Sequence, residues 1–392
     1  MYYSPKTSAD GLVFHYDTGN TVRSYLGEPT TNLVPYSEYQ YLADGYTEAL
    51  PGWDTHEGTM LIDVSNKVPG FTNRSIKLTC IQANVYKQHF SVPLTNGQTY
   101  TVSFWAKAQV AGSYGNFFLG DGPGGYLVVV PGDTVLTTEF TRFEYTFSMT
   151  ARDTGTYNFA TYLYGDGQIG WLSGFQIENK NHVTQYLPSN GAATTRSATQ
   201  GLKDLTAKNT INISTVSFDS NAQMTFDGTD DFGQTGAFVP GITSKSYEAV
   251  TRLYNVNQQA GGVIGMMGEN GEPFDTIVYN ETGAGWGFGS TGFARTAWSN
   301  VLETTTNFLH LVATYVDYSY KLYRNGQLIL TTTSYPILNY NFNSVIIFGK
   351  RHAATTGPYN GEIPIAKVYN RALSADEVQR NFNAVKSRFN IA

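Results

Sequence analysis

The chain has 392 residues, enough for two cores, and 41% of them are apolar, so sizeable interiors can be buried. Only 14% are charged, the formal net charge is −6 and no run of Lys or Arg occurs, which argues against nucleic-acid binding by phosphate neutralisation. Cys80 is the only cysteine, which excludes a disulfide within the chain and fits a reducing cytosol, and no apolar run approaches the ~20 residues that span a bilayer.

The remaining composition, 28 Tyr and 40 Gly, points to sheet. Tyr packs well on half-buried pleated surfaces and Gly supplies turns. In chain order, Met1 to Lys6 lack the apolar stretch of a secretory signal, so the sequons at Asn73, Asn212 and Asn280 read as chance. Residues 11–25 read as an apolar strand leading into a polar turn. Linker-like flanks at 27–31 and 189–195 then bracket a stretch with its own strands and its own aromatic set, including strand-like runs at 99–106 and 140–147. Residues 201–209 and 224–231 look like the continuation of the first segment, followed by runs at 308–315, 320–323 and 328–332. Asn325-Gly326 between the last two marks a two-residue hairpin, since that pair readily takes positive φ. Short strands separated by turn signals predict a sandwich or barrel. One helix is expected, at the C-terminus, opened by the Ser374–Glu377 capping box and carrying Val378, Phe382 and Val385 on one face. The expected organisation is one domain, 1–29 plus 199–392, interrupted by a second, 30–198.

The strings GLVFHYDTGNTVRSY, MTFDGTDDF, FLHLVATY and, above all, residues 359–382 with Val368-Tyr369-Asn370-Arg371-Ala372-Leu373-Ser374 resemble the laminin-G-like, concanavalin A-like jelly rolls, in the version common in structural proteins of tailed phages. The intervening piece opens with Asn32-Leu33-Val34-Pro35 and closes with Gly174-Phe175-Gln176-Ile177-Glu178 and Thr184-Gln185-Tyr186. It resembles a carbohydrate-binding module of the galactose-binding-like jelly-roll type. The resemblances imply an all-β fold of two jelly-roll sandwiches, one inserted in the other, with a short C-terminal α-helix. They also imply a structural calcium near the first and last strands of the inserted module, with Glu38 and Glu178 as ligands.

Catalytic patterns are weak. The paired-carboxylate string of glucanases is missing, and the acids between Glu269 and Asp275 sit among Gly and Pro, which predicts a solvated loop. No G-x-S-x-G string occurs, and the six His are scattered without zinc spacing. His310 reads as a hydrogen-bonded sheet residue. Gly287-Phe288-Gly289-Ser290-Thr291-Gly292 satisfies a nucleotide-loop pattern, but no helical periodicity follows it, so a turn is expected. Asp227-Gly228-Thr229-Asp230-Asp231 reads as an Asx turn in preference to a Ca²⁺ loop.

Sugar recognition needs aromatic faces beside polar groups. The candidates are Trp53, Tyr114, Tyr126, Tyr164, Asp166, Gln168 and Trp171 in the inserted piece, with Trp286 and Trp298 in the other. Trp105, inside a strand, is expected in the core. The expected function is a non-enzymatic virion component of a tailed phage: a capsid decoration, collar or tail-fibre protein, assembled in the host cytoplasm. It would contact other virion proteins and its own copies, as a trimer, and host surface glycans. The rival is an accessory carbohydrate-binding protein or lectin beside a polysaccharide-degrading enzyme.

Overall fold

The computed structural model describes residues 7–46, 55–56, 58–81, 84–120, 126–129, 134–150, 154–237, 242–268, 271–291, 296–333, 344–352 and 357–392. Trp53 and the acid Glu269 lie outside the described residues. Two compact units separate: Met1–Pro29, Ser197–Asp219 and Gln223–Ala392 form a discontinuous one, and Thr30–Arg196 with Ser220–Ala222 form the other. Both are antiparallel β-sandwiches of jelly-roll type, and the single α-helix among the described residues is Ala375–Val385. That helix is too short to cross a membrane.

In the discontinuous unit, an eight-stranded sheet runs in the order Ser217–Phe218, Met224–Asp227, Asn360–Tyr369, Lys245–Leu253, Leu309–Val316, Ser319–Arg324, Gln327–Thr333, with Leu12–Asp17 also paired to Asn360–Tyr369. A seven-stranded sheet faces it, built of Ile211–Asn212, Gly233–Thr235, Val345–Phe348, Gly261–Met267, Phe274–Tyr279, Trp286–Ser290 and Ala297–Trp298. Period-two alternation decides what lies between them: Tyr247 and Ala249 from one sheet, Ile277 and Tyr279 from the other, with Phe14, Tyr16, Trp286 and Phe348. The expected hairpin forms as read, with φ of 50° at Asn325 and 79° at Gly326.

The other face of the large sheet carries Glu248, Val250, Val312, Ile365, Lys367 and Tyr369, and the C-terminal helix covers it. Both halves of the capping box are made: Ser374 Oγ accepts from the Glu377 N–H, and the Glu377 carboxylate accepts from the Ser374 N–H. Val378, Phe382 and Val385 dock into the sheet as the spacing predicts. Beneath them Glu248, fully buried, accepts from Lys367 Nζ (2.8 Å) and Asn381 Nδ2 (2.6 Å) and meets His310 Nε2 (3.2 Å) and Tyr369 Oη (3.2 Å). Burial alone would raise the Glu248 pKa, but the Lys367 ammonium and His310 hold it well below the usual carboxylate range.

In the other unit, one sheet runs Thr134–Leu136, Ser113–Gly120, Gly155–Tyr164, Asn84–Leu94, Thr55–His56, with Tyr126–Val129 also on Ser113–Gly120. The second runs Thr141–Ser148, Thr99–Ala108, Ile169–Glu178, Ser75–Cys80, Gly58–Asp63. Their core is Phe90, Val102, Phe104, Phe159, Phe175 and neighbours, in which Phe90 and Phe159 stack at 5.1 Å.

Candidate functional site

The strand Gly155–Tyr164 places its aromatics by alternation. Tyr157, Phe159 and Leu163 enter the core, while Tyr162 and Tyr164 stand half-buried on the outer face, their rings 5.9 Å apart and 12° from parallel. In register, Tyr162 lies opposite Tyr86 and Asn116, and Tyr164 opposite Asn84. Between the two sheets the cavity bordered by Leu78, Leu136, Leu163 and Leu172 measures ≈ 10 Å³, room for about one water and none for a sugar ring.

The loop after Tyr164 does not join Tyr164 to Trp171. Gly165 (φ 104°) and Gly167 (φ 72°) make a tight turn closed by Gln168 N–H to Gly165 O, and Cys80 clips it with two main-chain bonds, from Gly167 N–H and to Gln168 O. Asp166 is exposed at its tip and Gln168 is half-buried. The turn carries the chain into the opposite sheet, so Trp171 emerges on the other outer face of the sandwich. There it forms a row across strands. Lys77 and Lys107 are its register partners, their ammoniums 5.9 and 4.9 Å from the indole centroid, and Lys107 also lies 4.9 Å over Phe140. The Trp171 Nε1–H donates to Asp63 (2.8 Å). With lysines against its ring, the half-buried Trp171 is a rung of a cation–π ladder on the face opposite Tyr164.

Trp105 is buried, as expected of a residue inside a strand. On the face of its strand opposite Phe104, Phe71 lies tilted against it (5.2 Å), the Arg142 guanidinium lies 4.8 Å from its ring and Tyr186 meets its edge. Beside it, Glu178 accepts four bonds, from Thr30 Oγ1, Thr184 Oγ1, Thr184 N–H and Gln176 Nε2, at 2.7 to 2.9 Å. Two carboxylate oxygens offer about four lone-pair positions, so Glu178 is saturated. Glu38 accepts from Tyr186 Oη (3.0 Å) and the Asn73 N–H (2.8 Å). Through these bonds both acids tie the ends of the unit to its sheet.

In the discontinuous unit Trp286 is fully buried in the core, its Nε1–H on Glu303 (2.6 Å), and Glu303 is gripped by both sides of Arg324. Trp286 offers no face to a sugar, because alternation in Trp286–Ser290 points Trp286 and Phe288 inward and leaves Gly287 and Gly289 outside. The Gly-rich string is therefore largely strand, not turn. Trp298 is half-buried and lies over Gly287, where any side chain would strike its ring. Asp231 accepts from the Asp227 and Ser217 N–H groups, and the Thr229 N–H bonds Asp227, so the Asx turn forms. The Asp227, Asp230 and Asp231 carboxylates gather within 4.8 Å. His310 is hydrogen-bonded in its strand, as read. Asp275, expected in a solvated loop, is instead fully buried in Phe274–Tyr279, 2.8 Å from Lys245 Nζ. Sequence reading passes over Tyr162, whose signal is its two-residue spacing from Tyr164, and over Lys77, Lys107 and Lys245.

Residues 41–166 match the family model described as carbohydrate binding domain, and residues 227–379 match that of the concanavalin A-like lectin/glucanases superfamily. The chain carries one domain of each kind. No relative among curated proteins matches. Among solved structures, domain 4 of AbnA, a GH43 extracellular arabinanase from Geobacillus stearothermophilus in complex with arabinotriose, aligns at 13% identity and a TM-score of 0.39, over 47% of this chain and 91% of that one. TmCBM61 in complex with beta-1,4-galactotriose aligns at 14% and 0.29, over 38% and 99%. The enzymatically active domain of the bacteriophage CBA120 tailspike protein 4 aligns at 10% and 0.30, over 37% and 21%.

Proposed function

We propose that this chain is a non-enzymatic structural component of a tailed-phage particle, a capsid decoration, collar or tail-fibre protein, that holds host surface glycans on its inserted sandwich. The observation that carries the glycan reading is the half-buried, near-parallel Tyr162–Tyr164 pair on the outer sheet face of the unit that matches a carbohydrate-binding domain. Aromatic faces pack against the apolar C–H side of a pyranose. The particle reading is supported by the likeness of residues 199–392 to jelly rolls common in phage structural proteins. An uncharged, Tyr-rich composition also suits repeated contacts between copies, as a trimer and with other virion proteins. The reading places the protein in the virion.

Two measurements test the two halves. Glycan-array binding by the full chain should fall at least tenfold in Tyr162→Ala/Tyr164→Ala, with the circular-dichroism spectrum unchanged; equal binding by both proteins sinks the glycan site. Proteomics of purified particles should find the chain in many copies. Its absence there, with retained glycan binding, favours the accessory lectin, a reading the carbohydrate-binding domain alone accommodates. Turnover of a polysaccharide, abolished by one carboxylate substitution, would overturn the non-enzymatic reading.

A further inference from the structure

The sandwich of the discontinuous unit holds an amine and a carboxylate in contact between its two sheets. Alternation along Lys245–Leu253 turns Lys245 and Tyr247 inward, and alternation along Phe274–Tyr279 turns Asp275 inward from the facing sheet. Lys245 Nζ lies 2.8 Å from Asp275 Oδ2, with the two side chains 1% and 0% exposed. Tyr247 Oη donates to the other oxygen, Asp275 Oδ1. Around them the rings of Tyr247, Phe288, Tyr320 and Tyr315 follow one another at 5.8, 4.5 and 4.6 Å, an aromatic wall against water.

We propose that Lys245 and Asp275 condense into an intramolecular amide that covalently joins the two sheets. A buried ion pair in apolar surroundings carries a desolvation penalty that neutral groups do not, so the low-dielectric site favours proton transfer from the ammonium to the carboxylate. The resulting Lys245 amine lone pair forms the bond to Asp275 Cγ. Tyr247 Oη–H stabilises the negative charge that develops on Oδ1. The Cγ–Oδ2 bond breaks, and Oδ2 leaves as water with the proton received from Lys245 and a second one lost by the attacking nitrogen. An ammonium and a carboxylate thus become one amide and one water, with no oxidant or other reactant. Fixing both groups on facing strands supplies the effective concentration that this condensation lacks between free molecules. In the product Oδ1 becomes the amide oxygen and keeps its bond from Tyr247, so the buried polar groups stay paired while the buried charges disappear.

Intact-mass spectrometry of the purified full chain tests this. The 43.1 kDa polypeptide should weigh about 18 Da, one water, less than its sequence, and digestion should yield a branched peptide joining the segments that contain Lys245 and Asp275. Lys245→Met, which keeps the length and apolar bulk of the stem, should have its full sequence mass. Tyr247→Phe should accumulate the cross-link several-fold more slowly than the parent, read as the fraction converted over time after refolding. A parent chain that retains its sequence mass after days at its working temperature, with both segments recovered as linear peptides, overturns the proposal.

Discussion

At the residue scale, the groups that matter most in this fold are ionisable side chains placed where water is scarce. His15 pairs in register with Lys367, and burial, followed by that ammonium, pushes its pKa down to about 4 against the pull of Glu248, Asp17 and Asp204. The unfolded chain takes up this proton below about 6.5, whereas the folded chain refuses it until about 4. His15 therefore withdraws stability as pH falls through that window, by roughly 1–3 kcal/mol at its lower end. Urea midpoints measured from pH 7 to pH 4.5 should fall progressively, and His15→Gln should flatten the decline; an unchanged slope would contradict the assignment. Glu248 acts in a second window. Its folded pKa is depressed, so its contribution is complete above about 4.5 and disappears as pH drops through the lower folded value. None of this is visible in sequence, where His15 and Glu248 are isolated polar letters in apolar strands. Trp286 shows the same limit: Gly neighbours suggest a loop, and only strand alternation and Glu303, seventeen positions away, reveal an anchored core residue.

At the scale of elements, local signals and long-range ones part company. The helix Ala375–Val385 is legible because its instructions are adjacent: Ser374, Glu377 and three apolar residues at helical spacing. The Asn325-Gly326 hairpin and the Asp227 turn are legible for the same reason. What the helix sits on is not, since Asn381 meets Glu248 from 133 positions away. The two kinds of contact should respond differently to mutation. Ser374→Ala removes a cap and should cost about 1 kcal/mol. Lys367→Met leaves the buried Glu248 carboxylate without its main counter-charge and should cost about 3–5 kcal/mol. Asn381→Ala should fall between them, at about 1–3 kcal/mol, because Tyr369 still reaches the same oxygen. Chemical denaturation of the three variants checks the order, and a Lys367→Met protein as stable as Ser374→Ala would remove Glu248 from its place as the charge that the helix seals. The aromatic candidates divide along the same line. Spacing of two finds the face Tyr162 shares with Tyr164, but no local pattern tells that the turn after Tyr164 hands Trp171 to the opposite sheet.

At the scale of the molecule, the chain builds two separate interiors. One gathers Phe14, Tyr247, Trp286 and Phe348, the other Phe104, Phe159 and Phe175, and no residue belongs to both. The linker-like composition at 27–31 and 189–195 is what makes an interruption readable, since the strands on either side are equally sheet-like and composition alone cannot assign them to a core. Taking the chain as one domain interrupted by another predicts two unfolding events, because each interior can melt without exposing the other. It also predicts which event responds to acid. His15 and Glu248, whose pKa values burial and charged neighbours displace, both lie in the discontinuous unit. Differential scanning calorimetry at pH 7 should resolve two transitions, and lowering the pH to 5 should move one of them down by several degrees more than the other. His15→Gln should reduce the larger shift and leave the smaller one alone. A single transition whose calorimetric and van't Hoff enthalpies agree would mean that the two interiors melt as one cooperative body, and an equal acid shift of both transitions would mean that the buried ionisable groups of the discontinuous unit do not set its response to pH.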